Sequence, residues 1–251
     1  MVQRDELVRY LHELLQVDRF RDYAPNGLQV EGRSDIRRLA SAVSASQAAV
    51  EAAAAMGADA LLVHHGYFWR HEDPRMVGMK RRRLVTLLAH DLNLFAYHLP
   101  LDAHERFGNN VQLARVLGLT VQGRFGPEPQ LALHGELPAP MSGSDFAVHV
   151  ARCLDRPPLH LAGDGSALVH RIGWCTGAAQ DYIDAAAALH LDAYLSGEAS
   201  ERTFHAAREL NIQFFGAGHH ATERYGVAAL AAHLADRYDL QHDTVESTNP
   251  V

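Results

Sequence analysis

The chain contains an internal repeat, and this repeat limits the folds that the sequence can adopt. Residues 47–62 (QAAVEAAAAMGADALL) align with residues 180–195 (QDYIDAAAALHLDAYL), with a glutamine, a run of alanines and an Asp-Ala pair at matching places. Two shorter matches follow in the same order: HDLNL (90–94) with RELNI (208–212), and HERFG (104–108) with TERYG (222–226). The longer spacing in the first copy predicts an insertion around residues 68–83. The chain is therefore expected to form two similar halves.

Each copy predicts a strand, an alanine-rich helix, a strand, a helix, a strand, and then a loop that leads into another helix. This alternation is typical of an α/β fold with largely parallel or mixed sheets flanked by helices. The predicted strands are 39–43, 60–63, 94–97, 171–175, 193–195 and 212–215, and the predicted helices are 47–56, 84–90, 110–117, 182–189, 203–209 and 224–236. Open α/β sheets bind ligands beyond the carboxyl ends of their strands, so we expect the site in a cleft between the two lobes.

A segment rich in proline and glycine separates the two copies. It covers residues 126–145 (GPEPQLALHGELPAPMSGSD), a composition that favours a connection between domains. We therefore predict a first α/β lobe over residues 1–125 and a second over residues 126–251, with a C-terminal segment able to pack back on the first lobe.

The composition excludes several classes of protein. The 251 residues carry a formal net charge of −7 and are 47% hydrophobic, which is typical of a globular protein and argues against non-specific DNA binding. The N-terminal stretch is amphipathic rather than apolar, and no run reaches the length of a membrane span, so we expect a cytoplasmic protein. Only Cys153 and Cys175 are present, so a bound metal would need histidine and carboxylate ligands.

Imidazoles and carboxylates are concentrated where predicted strands end. His64 and His65 end the strand of LLVHHGYFW, and similar groups follow the later strands: His98, Asp102 and His104 in YHLPLDAHERFG, and His219, His220 and Glu223 in FGAGHHATERYG. Neutral imidazole and carboxylate together suit zinc, manganese, iron, cobalt or nickel, whereas calcium and magnesium prefer oxygen ligands. The pattern predicts a metal site, with neighbouring histidines able to bind different ions of a pair.

Several of these residues have a second interpretation. His98 fits either direct ligation or the orientation of a carboxylate. His104, His220 and Glu105 suit surface or helix-capping positions, and a helical turn after His219 would bring Glu223 to the same face. Glu198 aligns with His65 through the repeat and is a candidate general base. The aromatic run 67–69 suits packing or stacking of a planar heterocycle, and the basic run 80–83 suits a solvated helix start.

Five stretches of the chain resemble the Ngg-one-interacting-factor-three-like family, whose members are also called GTP cyclohydrolase I type 2 homologues or dinuclear metal centre proteins. These stretches are DYAPNGLQVEG (22–32), VHHGYFW (63–69), HLPLDAHERFGNNVQLARVLG (98–118), SGE (196–198) and GAGHHATERYG (216–226). The resemblance extends over essentially the whole chain and is with the short bacterial form, which lacks an extra inserted domain.

The resemblance implies a two-lobed subunit with two divalent metal ions in the cleft, assembled into a homohexameric ring. It implies the metal ligands His64, His65, Asp102, His219 and Glu223, with Glu223 as the bridging ligand. It places His98 close to the metals in a role that stays open.

These expectations support a metal-dependent hydrolase that acts on a small nucleotide-like or heterocyclic substrate through a metal-activated water, with Glu198 or His98 moving protons. A second hypothesis is a metal-binding regulatory or scaffold ring without catalysis, either a metal chaperone or a ring that encircles DNA. A third is ring opening of GTP with release of formate. The sequence gives no indication of a membrane partner.

Overall fold

A computed structural model describes residues 1–163 and 168–251 of the chain. These residues divide into two compact units. The first unit contains Met1–Phe107 and Val227–Thr248, and the second contains Gly108–Gly226 and Asn249–Val251. The boundary predicted near residue 125 lies inside the second unit, because much of the segment rich in proline and glycine forms a strand that pairs on both sides.

Most helices and strands of the first unit precede residue 107. They are β1 (Val2–Gln3), α1 (Arg4–Leu14), β2 (Gly27–Val30), β3 (Asp35–Ile36), β4 (Arg38–Ser44), α2 (Gln47–Ala55), β5 (Ala60–His65), α3 (Gly78–Ala89), β6 (Asn93–Ala96) and α4 (Leu99–Ala103).

The second unit continues the alternation of helices and strands. Its elements are α5 (Asn109–Leu117), β7 (Thr120–Phe125), β8 (Ala132–Met141), α6 (Gly143–Leu154), β9 (Leu159–Leu161), β10 (Val169–Cys175), α7 (Ile183–Ala188), β11 (Ala193–Ser196), α8 (Glu201–Glu209) and β12 (Gln213–Gly216). Helix α9 (His219–Tyr238) begins in this unit and continues into the first, where β13 (Gln241–Thr244) follows.

Each unit contains a mixed sheet, as the sequence predicts. In the first unit the strand order is β13-β4-β5-β6-β2, with β2 antiparallel to its neighbour and the other pairs parallel. In the second unit the order is β7-β8-β10-β11-β12-β9, with β10, β11 and β12 parallel. The α/β prediction is therefore confirmed. No helix in the described ranges is both long and apolar enough to cross a membrane.

The sheet of the first unit is buried on both faces. Leu62 of β5 points to a core with α1 and the later part of α9, whereas Leu61 and Val63 point to a second core with α2 and α3. Alternate residues of a strand face opposite sides, so a strand covered on both faces reads as a continuous apolar run. His64 and His65 end such a run, and the core fixes the backbone that carries them.

The internal repeat is visible in matching hydrogen bonds of the two units. Asp59 accepts hydrogen bonds from the backbone N–H groups of residues 37 and 38, and Asp192 accepts them from residues 170 and 171, in each case at the start of the preceding strand. The third strands correspond through Asn93 and Gln213, whose N–H groups donate to the carbonyls of Asp59 and Asp192. This register differs by two residues from the predicted alignment of 90–94 with 208–212.

Candidate functional site

Three imidazoles of the first unit lie close together at the ends of β5 and β6. His64 and His65 end β5, and His98 follows β6. One ring nitrogen from each histidine lies within 4.8 Å of the others, and the ring centroids are 4.5, 5.0 and 5.8 Å apart. Because zinc–nitrogen bonds are about 2.0–2.1 Å long, three imidazoles at this spacing can bind one metal ion or share a pair.

A carboxylate lies beside this cluster. Asp102 belongs to α4, the short helix that follows His98, and its Oδ1 atom is 3.5 Å from Nε2 of His64. Both side chains are nearly inaccessible to solvent, with exposed fractions of 9% for Asp102 and 0% for His64. The first unit thus brings together His64, His65, His98 and Asp102 of the predicted site.

Each of the three histidines has its Nδ1 atom hydrogen-bonded to an oxygen atom. Nδ1 of His64 donates to the backbone carbonyl of Tyr97 at 2.9 Å, and Nδ1 of His65 is hydrogen-bonded to Oγ of Ser44 at 3.1 Å. Nδ1 of His98 donates to Oδ1 of Asp22 at 2.9 Å. A neutral imidazole that donates through Nδ1 has Nε2 as its acceptor. Nε2 is therefore the atom through which His64 and His98 can bind a metal ion.

Asp22 is a residue of this site that the sequence analysis did not single out. Its side chain is 3% exposed, and besides His98 it accepts hydrogen bonds from Nδ2 of Asn26 and from the N–H groups of Tyr23 and Leu99. Burial alone would raise its pKa, but the hydrogen bond and charge of His98 and the other donors lower the pKa of Asp22 to about 2. Asp22 lies in the stretch 22–32 that resembles the family. Its position in the sequence, however, does not indicate that it is a neighbour of His98.

In the second unit, an imidazole and a carboxylate share the first turn of α9. Nε2 of His219 lies 3.1 Å from Oε2 of Glu223, four residues later, and Nδ1 of His219 lies 2.6 Å from Oε1 of Glu198, which follows β11. Burial alone would lower the pKa of His219, but the two carboxylates raise it to about 9. The predicted residues Glu198, His219 and Glu223 are therefore adjacent, with Glu198 against the ring nitrogen that faces away from Glu223.

Gly177 leaves the space that this pair occupies. Its φ of +69° is unfavourable for a residue with a side chain, and an added Cβ atom would overlap Oε1 of Glu223 and lie 3.2 Å from Nε2 of His219. The Gly177 carbonyl also accepts hydrogen bonds from the N–H groups of Gly197 and Glu198, which ties its loop to the end of β11. The pair of His219 and Glu223 and its backbone support thus require a glycine here.

Other residues that the sequence suggested as candidates make hydrogen bonds, ring contacts or ion pairs that support the fold. Nδ1 of His104 accepts hydrogen bonds from the N–H groups of residues 106 and 107, and the imidazole stacks on Phe107. The Tyr67 hydroxyl is buried and donates to the Ala45 carbonyl. Lys80 is buried rather than solvated, because its ammonium group donates to the Asp73 carbonyl and pairs with Glu72 at 3.1 Å.

The fold and these donor groups define a mixed α/β protein with candidate ligands for divalent metal ions. The sequence matches the family model Duf34/NIF3 (NGG1p interacting factor 3) over residues 2–250. A Pseudomonas aeruginosa protein named GTP cyclohydrolase 1 type 2 homolog is 54% identical over 246 residues, which covers 97% of each chain.

Two solved structures are similar over the full length of both chains. Protein ybgI, of unknown function, has a TM-score of 0.96 and 47% identity. TTHA1606 from Thermus thermophilus has a TM-score of 0.89 and 35% identity. The chain belongs to the DUF34/NIF3 family, which confirms the resemblance seen in the sequence.

Replacing Asp22 by Asn should weaken metal binding. The isosteric amide keeps the volume but loses the charge that fixes the His98 ring, and loss of such a partner costs roughly 10- to 100-fold in metal affinity. Competition with a chromophoric chelator measures the change. The control is Asp18→Asn, which alters the exposed pair between Asp18 and His12. Equal affinities for the parent and Asp22→Asn would contradict this role of Asp22.

Replacing Gly177 by Ala should reduce bound metal, because the new methyl group would displace Glu223. The matched control is Gly57→Ala, since Gly57 has a φ of +67° and an added Cβ atom there meets nothing within 4 Å. In both variants an alanine must adopt a left-handed backbone conformation, which lowers the free energy of unfolding by roughly 1 kcal/mol. Thermal unfolding measures this shared loss of stability. Metal analysis should show a loss in Gly177→Ala alone, and an equal metal content in both variants would refute the prediction.

Proposed function

We propose that this protein is a dinuclear metal-dependent hydrolase that acts on a small nucleotide-like or heterocyclic substrate. The observation that carries the proposal is the fixed orientation of the imidazoles. Nδ1 of His64, His98 and His219 is held by a carbonyl or carboxylate oxygen, so that Nε2 can bind a metal ion. Such anchoring is the usual support of metal-binding histidines and is not required by ordinary packing.

The donors of the two units are proposed to bind the same pair of ions, with His64, His65, Asp102, His219 and Glu223 as ligands and Glu223 as the bridge. His219 and Glu223 alone provide two ligands, fewer than the three or four protein ligands of most zinc sites. The mixture of nitrogen and oxygen donors favours zinc, manganese, iron, cobalt or nickel over calcium or magnesium. The family resemblance supports the same five ligands.

A bound pair of divalent ions would lower the pKa of a water molecule and polarise the bond under attack. The protein's own part in the reaction is to position groups and move protons, and we propose Glu198 and His98 for the latter. Glu198 is 36% exposed, so its carboxylate can exchange protons with solvent while it holds Nδ1 of His219. His98 can accept a proton at Nε2, while Asp22 holds Nδ1, in the form in which that nitrogen does not bind a metal ion.

Metal analysis of the purified protein tests the shared centre. We expect two equivalents of metal in the parent and a clear loss in both His65→Ala and Glu223→Ala, because each removes a proposed ligand from a different unit. His12→Ala removes an exposed histidine and is the control. An unchanged metal content in the two ligand variants would refute the shared centre.

The catalytic part of the proposal needs a substrate panel. Metal-replete parent protein should hydrolyse a member of a set of nucleotides, damaged nucleotides and cyclic amides, and Glu198→Gln should lower the rate even when it is supplied with enough metal to reach the metal content of the parent. GTP belongs in the panel because the Pseudomonas relative carries a cyclohydrolase name, and a formate assay detects opening of its ring. Absence of turnover with every member under several metals would contradict the hydrolase proposal and favour a scaffold or chaperone role.

Metal affinity should increase with pH. His219 in the metal-free protein has a pKa of about 9, so it carries an extra proton at pH 7 that a metal ion must displace from Nε2. The affinity should therefore rise about tenfold per pH unit as the pH approaches 9. Glu198→Gln removes one of the carboxylates that raise this pKa. In this variant the increase of metal affinity with pH should therefore level off at a lower pH. Calorimetric titrations between pH 6.5 and 9 measure both curves, and a flat curve for the parent would contradict the prediction.

We further propose a homohexamer on the basis of the family resemblance. Several apolar side chains on and beside α3 are largely exposed, as is typical of surfaces that another subunit covers: Met76, Val77, Met79, Val85 and Leu88. Light scattering coupled to size exclusion gives the mass of the assembly directly.

A further inference from the structure

Two aromatic rings lie against the imidazole cluster of the first unit. The rings of Tyr23 and Trp69 are 5.8 Å apart, with 34° between their planes. Both meet the ring of His98 edge to face, at 5.1 and 5.2 Å. Tyr23 is 50% exposed and Trp69 is half-buried. An aromatic surface open to solvent thus borders the residues proposed to bind metal.

The local backbone holds Trp69 in a defined place. Phe68 has a φ of +66°, which is strained for a residue with a side chain. The N–H groups of Phe68 and Trp69 both donate to Oε2 of Glu72, and the buried ammonium group of Lys80 pairs with the other oxygen of this carboxylate. The indole N–H donates to the Gly66 carbonyl. Strained backbone conformations that surrounding contacts hold in place are common at ligand-binding sites.

The segment that carries Tyr23 is attached to the same loop. The backbone N–H of Arg70 donates to the Tyr23 carbonyl, and its guanidinium donates to the Asp22 carbonyl, both at 2.8 Å. The aromatic pair is therefore supported by one arginine and by the carboxylate–imidazole pair of Asp22 and His98.

This arrangement belongs to the first unit and has no counterpart among the described residues of the second. Trp69 lies at the start of the predicted insertion around residues 68–83, whereas the matching strand β11 is followed within a few residues by α8. Tyr67, two residues earlier, packs in the core and donates to the Ala45 carbonyl, whereas the Trp69 ring is more exposed. The insertion therefore adds an aromatic surface to one half of the molecule.

The ring geometry defines how a ligand could lie. A flat ligand between two parallel rings needs about 7 Å between them, because each contact takes about 3.5 Å. The 5.8 Å separation of Tyr23 and Trp69 is too short, so a ligand would lie on the outer surface of the pair. Metal ions at the adjacent imidazoles would repel a cationic ligand, which leaves a planar ring without positive charge as the better match.

We propose that Tyr23 and Trp69 form a stacking platform for the planar heteroaromatic ring of the substrate, an inference that rests on the proposed hydrolase function and specifies its substrate class. The platform orients the ring beside the imidazole cluster, so that the bond under attack faces the groups that bind metal and move protons.

Calorimetric titration of the full-length protein, as purified, tests this platform. The probes are guanosine 5′-monophosphate and uridine 5′-monophosphate, with ribose 5-phosphate as the probe without a ring, and each is checked for integrity after the titration. We expect the parent to bind a nucleotide more tightly than ribose 5-phosphate. Trp69→Leu and Tyr23→Leu should each weaken nucleotide binding at least about fivefold. Trp69→Phe, which keeps an aromatic face, should retain most of the affinity.

Phe204→Leu is the matched control, because Phe204 is an exposed aromatic residue on α8, and it should leave affinity unchanged. Metal content is measured on every variant and should equal that of the parent, which separates loss of stacking from loss of the metal site. Equal binding of nucleotides and ribose 5-phosphate would overturn the platform, as would equal loss in the Phe and Leu variants at Trp69. A parent that binds nucleotides through Trp69 but hydrolyses nothing would keep the platform and contradict the hydrolase.

Discussion

Oxygen atoms anchored in the fold hold the Nδ1 atoms of the site histidines, and the proposed chemistry depends on this interaction. A backbone carbonyl at the end of β6 holds His64, and the carboxylates of Asp22 and Glu198 hold His98 and His219. Each anchor holds Nδ1 and fixes the plane of the ring, so Nε2 can bind an ion without rotation of the ring, although His219 must first lose the proton on this atom. The buried strands fix the anchors in turn, because a strand covered on both faces cannot shift without loss of core packing.

The same geometry concentrates buried charge. Asp102 and Glu223 are 9% and 4% exposed, and a buried carboxylate without positive charge nearby costs several kcal/mol. In the metal-free second unit, a protonated His219 supplies part of that charge, which explains why the pKa of its ring is raised. Divalent ions would replace the proton and offset the remaining cost. Metal binding and the stability of the folded chain are therefore expected to be coupled.

The sequence predicts the parts of the fold that depend on periodicity. The alanine-rich helices and the central parallel strands of both copies lie close to their predicted bounds, because alternation and apolar runs are local signals. Strand β8 is not predicted, since proline and glycine between 126 and 145 indicate a loop, whereas pairing with β7 and β10 stabilises a strand there.

The sequence predicts those residues of the candidate site that lie at or just after the ends of strands. His64, His65, His98 and Asp102 come together as expected in the first unit, and His219, Glu223 and Glu198 do so in the second. The supporting residues could not be read in this way. Asp22 is 76 positions from His98, and Ser44 is 21 positions from His65, so that only tertiary folding makes them neighbours. The two-residue difference in the register of the third strands has the same origin, because strand pairing rather than sequence identity sets it.

Electron paramagnetic resonance of the manganese-loaded protein tests most directly whether the ligands of both units bind one pair of ions. Two ions about 3.5–4 Å apart, as in other two-metal sites, should give an exchange-coupled spectrum that Glu223→Ala converts to uncoupled ions or removes. A parent spectrum of magnetically isolated manganese at two equivalents per chain would contradict a dinuclear centre.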